Sequence, residues 1–374
     1  MKKITFLFIT ALAMTVNANA QAVWKMVITH NDGIQQSIAV SDVKDVTFIS
    51  ETLKNQNEDQ IIIKELYVGG CPMDEGTNYF QKDKGFILYN NCGEQAVVNN
   101  LAIAFSDPFN GHAPSNTWNS DGKLIYEDEE YIPAANGIWY FQEPLVLKPY
   151  AQIVVSCMGA INNTTTYSQS VNYANGAYYT MYDPEAGYNN PTWYPTPSDI
   201  IPTSHYMKAV EFGQGNAWTL SNNSPAFFIF HTTDVTPAEY ANNPDNYIYA
   251  PGKQQNAINR CLKIKKDWII DGIEVFQADK VSESKKRLTV DIDGGYIPMT
   301  NKLGHTLYRN VNKAKTESLP ENQGKLVYNY QLGNDPSQID AEASIKAGCH
   351  IVYIDYDNSE TDFHERQKFS IRGE

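Results

Sequence analysis

The side chains with the clearest capacity for chemistry in this sequence are aromatic. Tyr188, Trp193, Tyr194 and Tyr206 stand among asparagine, proline and threonine in the stretch 162–215, which includes YANGAYYTMYDPEAGYNNPTWYPTPSD. Flat rings flanked by amides suit the faces of sugars, and Tyr and Trp give large contact area at low entropic cost in protein recognition. These four are the candidate ligand-binding residues, for a glycan or a surface protein. The competing reading is that they pack a long insertion onto the body of the fold. A second group, Asp355, Asp357, Asn358, Glu360 and Asp362 in DYDNSETD, puts oxygens close together as a hard cation requires; Asp291-Ile292-Asp293-Gly294-Gly295 echoes it. Neither has the glycine and terminal glutamate of an EF-hand loop. Both read more simply as polar turns with Asx-type self-bonds, and no metal is expected.

Catalytic motifs are missing from the sequence: it has no GxSxG, no HExxH and no Gly-rich phosphate loop. His30, His112, His205, His231, His305, His350 and His364 never fall at i, i+4 or at ligand spacing. Carboxylate pairs for glycoside cleavage are defined in space, about 5–10 Å apart, and 43 acidic residues make such pairs unreadable from spacing. No catalytic residue and no cofactor is assigned. The expected role is non-catalytic binding or adhesion. The alternative is a secreted hydrolase or carbohydrate-active enzyme whose site the insertions build. A net charge of −14 argues against nucleic acid and anionic membranes as partners, and is compatible with cations, neutral glycans or proteins.

The elements that would position these residues begin after an export signal. Lys2 and Lys3 precede the uncharged apolar run ITFLFITALAMTV, and Ala18-Asn19-Ala20 supplies a small-x-small cleavage pattern, so residues 1–20 read as a signal peptide and the mature chain as starting at Gln21. A run of about 13 apolar residues is shorter than the roughly 20 that a membrane span needs. The mature form is expected to be secreted, periplasmic or surface-associated and not membrane-spanning. Residues 21–50 read as a β-hairpin leader, with WKMVITH and IQQSIAV joined at Asp32-Gly33. Residues 51–60 read as a polar linker. Short strands follow at 61–68, 85–89, 96–105, 137–141, 153–157, 226–231, 268–276, 324–331 and 350–356, with helices at 340–347 and, more weakly, 256–263. Short strands separated by Gly, Pro and Asn predict a mainly β sandwich over 61–374. Long insertions at 107–135 and 162–215 interrupt it. The five cysteines, at 71, 92, 157, 261 and 349, show no zinc spacing; Cys71 and Cys92 are nearest in sequence.

The order IIIKELYVGG, KGFILYNNCGEQAVVNNLAIAFSD, PLVLKPYAQIVVS, LSNNSPAFFIF, WIIDGIEVF resembles the lamin-tail domain. Glu65 stands at the Glu of that family's opening strand, Tyr89-Asn90 at its "yN", Leu147-Lys148-Pro149 at its "L-x-P" turn, and Asp271 at the Asp of its last motif. The pattern departs at Ile87, Tyr150 and Ala226, which replace a Glu, a Gly and an Asp. A closer resemblance is to an exported bacterial family, domain of unknown function 4876, with counterparts at 85–91, 99–104, 302–309 and 354–363. It spans roughly residues 61–374. The resemblance implies an immunoglobulin-like, lamin-tail-like β-sandwich with large insertions, and brings no known activity. The leader resembles the "DG…vsdIdsitF" stretch that follows signals in such exported proteins.

Overall fold

Side-chain alternation along a strand decides which face is buried, and in Ile61–Tyr67, Gly85–Asn90 and Leu101–Phe105 both faces are. The computed structural model describes residues 24–29, 34–47, 53–213 and 215–373. The predicted signal peptide at 1–20 and the predicted Asp32-Gly33 turn lie outside the described residues. Two compact units divide at Glu51/Thr52. In the first, Lys25–Thr29 pairs antiparallel with Gln35–Ala39, and a short 3-10 turn follows at Val40–Asp42. In the second, the polar stretch predicted as a linker is bonded into the body. Gln56 exchanges backbone hydrogen bonds with Val97 at 2.8 and 3.0 Å, and Asn55 Oδ1 accepts from the Asn99 N–H at 2.8 Å.

Among the described residues, twelve strands share one sheet. In chain order they are β1 (Ile61–Tyr67), β2 (Gly85–Asn90), β3 (Leu101–Phe105), β4 (Gly137–Tyr140), β5 (Gln152–Ser156), β6 (Tyr179–Met181), β7 (Tyr206–Glu211), β8 (Ala226–His231), β9 (Ile269–Gln277), β10 (Ile297–Met299), β11 (Thr306–Arg309) and β12 (Phe363–Arg366). Their spatial order is β10-β9-β8-β3-β4-β7-β6-β5-β2-β1-β11-β12. The pairs β5–β6, β6–β7 and β9–β10 are parallel and the others antiparallel. The sheet rolls until it is nearly closed. Across the seam the Ile63 N–H on β1 donates to Asp271 Oδ2 on β9 at 2.6 Å. The protein is thus mainly β, as predicted, and its core strands share one large, nearly closed sheet.

The inward residues make a single core: Ile61 and Ile63, Phe86 and Leu88, Ile103 and Phe105, Trp139, Val155, Phe227 and Ile229, Ile273 and Val275. Outside the roll, three smaller clusters cover the opposite faces. Ala102, Ala104, Phe228 and Phe230 pack under Leu124, Ile132, Leu262 and Ile264. Ile62 and Tyr89 pack under Ile339, Ile351 and Tyr353, and Tyr67 and Ile87 under Val171, Tyr173 and Phe369. This is why IIIKELY reads as an unbroken buried run. A bulge at Lys64 shifts the β1–β2 register, giving two residues on one strand against one on the other. Lys64 is fully buried, pairs with Glu342 at 2.8 Å, and has the rings of Tyr89, Tyr308 and Tyr353 5.4–5.8 Å from its ammonium.

Three sequence expectations fail locally. Residues 324–331 and 350–356 form only isolated bridges, Tyr328 with Ile339 and Val311 with Tyr353. Side chains replace the ladder there: the Val327 N–H donates to Ser344 Oγ and the Tyr353 N–H to Asn91 Oδ1. The weak helix at 256–263 is a 3-10 turn, Ala257–Asn259, running into the strand Arg260–Lys265, which pairs with both Tyr131–Ala135 and Tyr247–Tyr249. The predicted helix at 340–347 is present as Ala341–Lys346, capped by Asp340. The insertion 162–215 also proves integral to the sheet, since it supplies β6 and β7. All five cysteines are free.

Candidate functional site

The 162–215 segment sends its aromatic side chains in two directions. Tyr188 and Tyr194 are buried in the central core. Tyr188 stacks on Trp139 with centroids 5.3 Å apart, and its hydroxyl donates to the Asn136 carbonyl at 2.8 Å. The Tyr194 hydroxyl donates to the Trp218 carbonyl at 2.9 Å and accepts from the Trp218 N–H at 3.1 Å. With both faces packed and both hydroxyls engaged, neither can receive a ligand, which corrects the sequence assignment of these two. Trp193 is half-buried against the same core, under the Lys82 ammonium at 5.1 Å. Tyr206 lines an open depression.

That depression exists because of β7. Met207 and Ala209 point into the core, while Tyr206, Lys208 and Val210 take the outer face. Val210 is covered by the second cluster, whose layer ends there, leaving Tyr206 and Lys208 half-buried. A cleft of about 400 Å³ forms over them, walled by Gln142, Glu143, Tyr182, Asp183, Glu185, Thr203 and Ser204. The Tyr182 and Tyr206 rings meet edge to face at 5.5 Å and 79°. Gln142 Nε2 donates to the carbonyls of Thr203 and Tyr206 at 2.9 and 2.6 Å, bracing one wall. On the other wall, Asp183 continues the β6–β7 ladder with its side chain. Its Oδ2 accepts from the Ala209 N–H at 3.0 Å and its Oδ1 pairs with Lys208 at 3.2 Å. The site thus offers two tyrosines, exposed hydroxyls on Thr203 and Ser204, and carboxylates on Glu143 and Glu185. Sequence reading missed every member except Tyr206. The alternation in YMKAVE was the available signal for the strand that carries them.

The acidic turn at 355–362 closes on a cation of the chain itself. The Arg309 guanidinium is fully buried, paired with Asp271, with Asp355 at 2.8 Å and with Asp362 at 3.5 Å; its Nε donates to the Ile63 carbonyl at 2.9 Å. Asp362 Oδ2 also accepts from the N–H groups of Tyr356 and Asn358. Among the described residues, no group of three or more His, Cys, Asp or Glu side chains is arranged to hold a metal ion. Elsewhere burial moves buried ionisable groups far from their usual range. Glu65 is pushed up to about 7 by burial, against the opposing pull of Arg366 and the Ser370 bond. His364, between Tyr330 and Asn310, is pulled down to about 3 by burial and by Arg366. These groups are walled in on all sides and serve the packing.

The residues carrying the family resemblance do the same. Asn90 Nδ2 donates to the carbonyls of Glu94, Leu147 and Lys148, holding the Leu147-Lys148-Pro149 turn, and Tyr89 donates to the Ile351 carbonyl at 2.7 Å. A family model described as a protein of unknown function, DUF4876, matches residues 148–331. The resemblance to that family holds. A crystal structure of a DUF4876 family protein from Bacteroides thetaiotaomicron VPI-5482 is similar with a TM-score of 0.58 at 16% identity, over 91% of this chain and 80% of that one. At that identity the likeness is one of fold. No curated protein matches the chain in sequence. Among the described residues, no helix is long and apolar enough to cross a membrane.

Proposed function

We propose that this is an exported, non-catalytic binding protein whose ligand is a glycan, held in the cleft on the outer face of β7. The observation that carries this reading is the Tyr182–Tyr206 pair, half-buried at an open polar depression and ringed by hydroxyl, amide and carboxylate groups. Tyrosine presents an apolar face and a polar edge, and the surrounding groups match the hydroxyls of a sugar in both donors and acceptors. A surface protein, the other ligand class, is less well served by a concave polar cleft. The export signal at 1–20, cleaved after Ala20, belongs to the same reading, as does the finer likeness to a lamin-tail, immunoglobulin-like sandwich. Buried Glu65 and Asp271 and the Asn90-braced turn support that likeness.

The hydrolase alternative would draw on Glu143, Asp183 and Glu185. Asp183 is already engaged by Lys208 and the Ala209 N–H, which favours binding. Affinity electrophoresis through gels containing neutral plant and microbial polysaccharides tests the reading. The wild-type protein should be retarded by at least one polymer, and Tyr182→Ala/Tyr206→Ala should run freely at a temperature where circular dichroism shows it folded. Reducing sugar released from the retarding polymer would point to the hydrolase.

A further inference from the structure

Two opposite charges line one cleft without meeting. The cleft, of about 430 Å³, opens where β7 ends beside the strand Tyr247–Tyr249, and Glu211, Phe212, Asn242, Tyr247, Tyr249 and Arg260 line it. The register sets Tyr249 opposite Arg260, and strand alternation puts Tyr247 on the same face. Tyr247 is held in place. Its ring packs on Phe212 with centroids 5.3 Å apart, and its hydroxyl donates to the Ala241 carbonyl. The Arg260 guanidinium lies 5.7 Å from the centroid of that ring, and the Tyr249 ring beside it is 41% exposed.

The Glu211 carboxylate rests on Gly187, where a Cβ would overlap it; the φ of 100° there favours glycine. Burial raises the Tyr188 phenol, and Tyr194, Glu211 and Tyr247 raise it further, which places the Glu211 carboxylate and Tyr247 near one hydroxyl. Burial also raises the Glu211 carboxyl itself. Among the described residues, no hydrogen bond or ion pair reaches that carboxylate, and the Arg260 guanidinium has the Tyr247 ring as its partner. Both side chains are half-buried. A carboxylate without a donor and a guanidinium with unused N–H groups each carry a desolvation cost that a ligand of the opposite charge would offset.

We propose that this cleft binds a zwitterion, a free amino acid or short peptide, with its carboxylate on Arg260 and its ammonium on Glu211. The planar guanidinium suits a carboxylate bidentately, and the rings of Tyr247 and Tyr249 offer apolar surface to a side chain. An uncharged sugar would answer neither charge, so the site is separate from the glycan cleft and does not rest on that reading. The test is isothermal titration of the mature protein with L-phenylalanine, alanylphenylalanine and alanylalanylphenylalanine, each also in N-acetyl and C-amide form. At least one free form should bind, its length marking the span between the two charges. Each of its blocked forms should bind about tenfold or more weakly. In Arg260→Gln the free and amidated ligands should bind alike, and in Glu211→Gln the free and acetylated ones, with circular dichroism showing both variants folded. If no free form binds, or if wild type holds a blocked form as tightly as the free one, the zwitterion proposal falls. A blocking penalty that survives in the matching variant would overturn the assignment to these two residues.

Discussion

Replacing Lys84 with methionine should stabilise the protein at neutral pH and stop doing so in alkali. Lys84 lies directly opposite Cys157 beyond the ends of β2 and β5, where the Cys157 N–H donates to its carbonyl at 3.1 Å. Its ammonium is buried, with the Leu220 carbonyl as hydrogen-bond acceptor. Burial pulls its pKa from 10.5 down to about 7, with Cys157 opposing weakly. A lysine depressed in the fold contributes fully above 10.5, and that contribution is lost as pH falls towards about 7. The charge imposed on the fold below that range costs about 5 kcal/mol. Methionine fills similar volume without charge but strands the Leu220 carbonyl, at a cost of about 1–3 kcal/mol. Lys84→Met should therefore be more stable than wild type by about 2–4 kcal/mol near pH 6. Near pH 10 the burial penalty falls to about 1 kcal/mol, so the variant should be level or about 2 kcal/mol less stable. Urea unfolding of the mature chain at several pH values reads the difference directly. A gap independent of pH would refute the reasoning.

Other outcomes follow from the same packing. Tyr194→Ala should destabilise by about 3–5 kcal/mol, because a buried ring and its bonds to Trp218 are removed; Tyr206→Ala should stay within about 0.5 kcal/mol of wild type in the same urea titration. Arg309→Met should cost about 3–5 kcal/mol by leaving Asp271, Asp355 and Asp362 around an unfilled charge site, and a loss below about 1 kcal/mol would mean that this cluster does not hold the seam. Mass spectrometry of the protein recovered from outside the cytoplasm should give a mature N-terminus at Gln21; an intact Lys2-Lys3 would end the export argument.

The strands legible in the sequence were those buried on both faces. IIIKELY, GFILYN and AFFIFH are mostly apolar, with Lys64 and Glu65 the exceptions inside the first, and such runs announce themselves without help from their neighbours. The strands missed were short or alternating. YMKAVE carries Tyr206 and Lys208 outward, and YTM sits inside a Tyr- and Asn-rich stretch that composition marks as loop. Their strand character comes from the parallel ladder β5–β6–β7, a pairing between distant segments that no local pattern encodes. The candidate site followed suit. Aromatic density drew attention to 162–215, but Tyr188, Tyr194 and Tyr206 are chemically alike, and only the roll of the sheet turns the first two inward and the third outward. Likewise DYDNSETD looks like a cation loop because the cation, Arg309, is 46 residues before Asp355, a separation that spacing rules cannot bridge.

A crystal structure of the mature protein soaked with the oligosaccharide that retards it bears most directly on the central claim. The account predicts a sugar ring against Tyr206 and Tyr182, with hydroxyls bonded to Glu143, Glu185 or Ser204. A saccharide ordered elsewhere, with the β7 cleft empty, would contradict it.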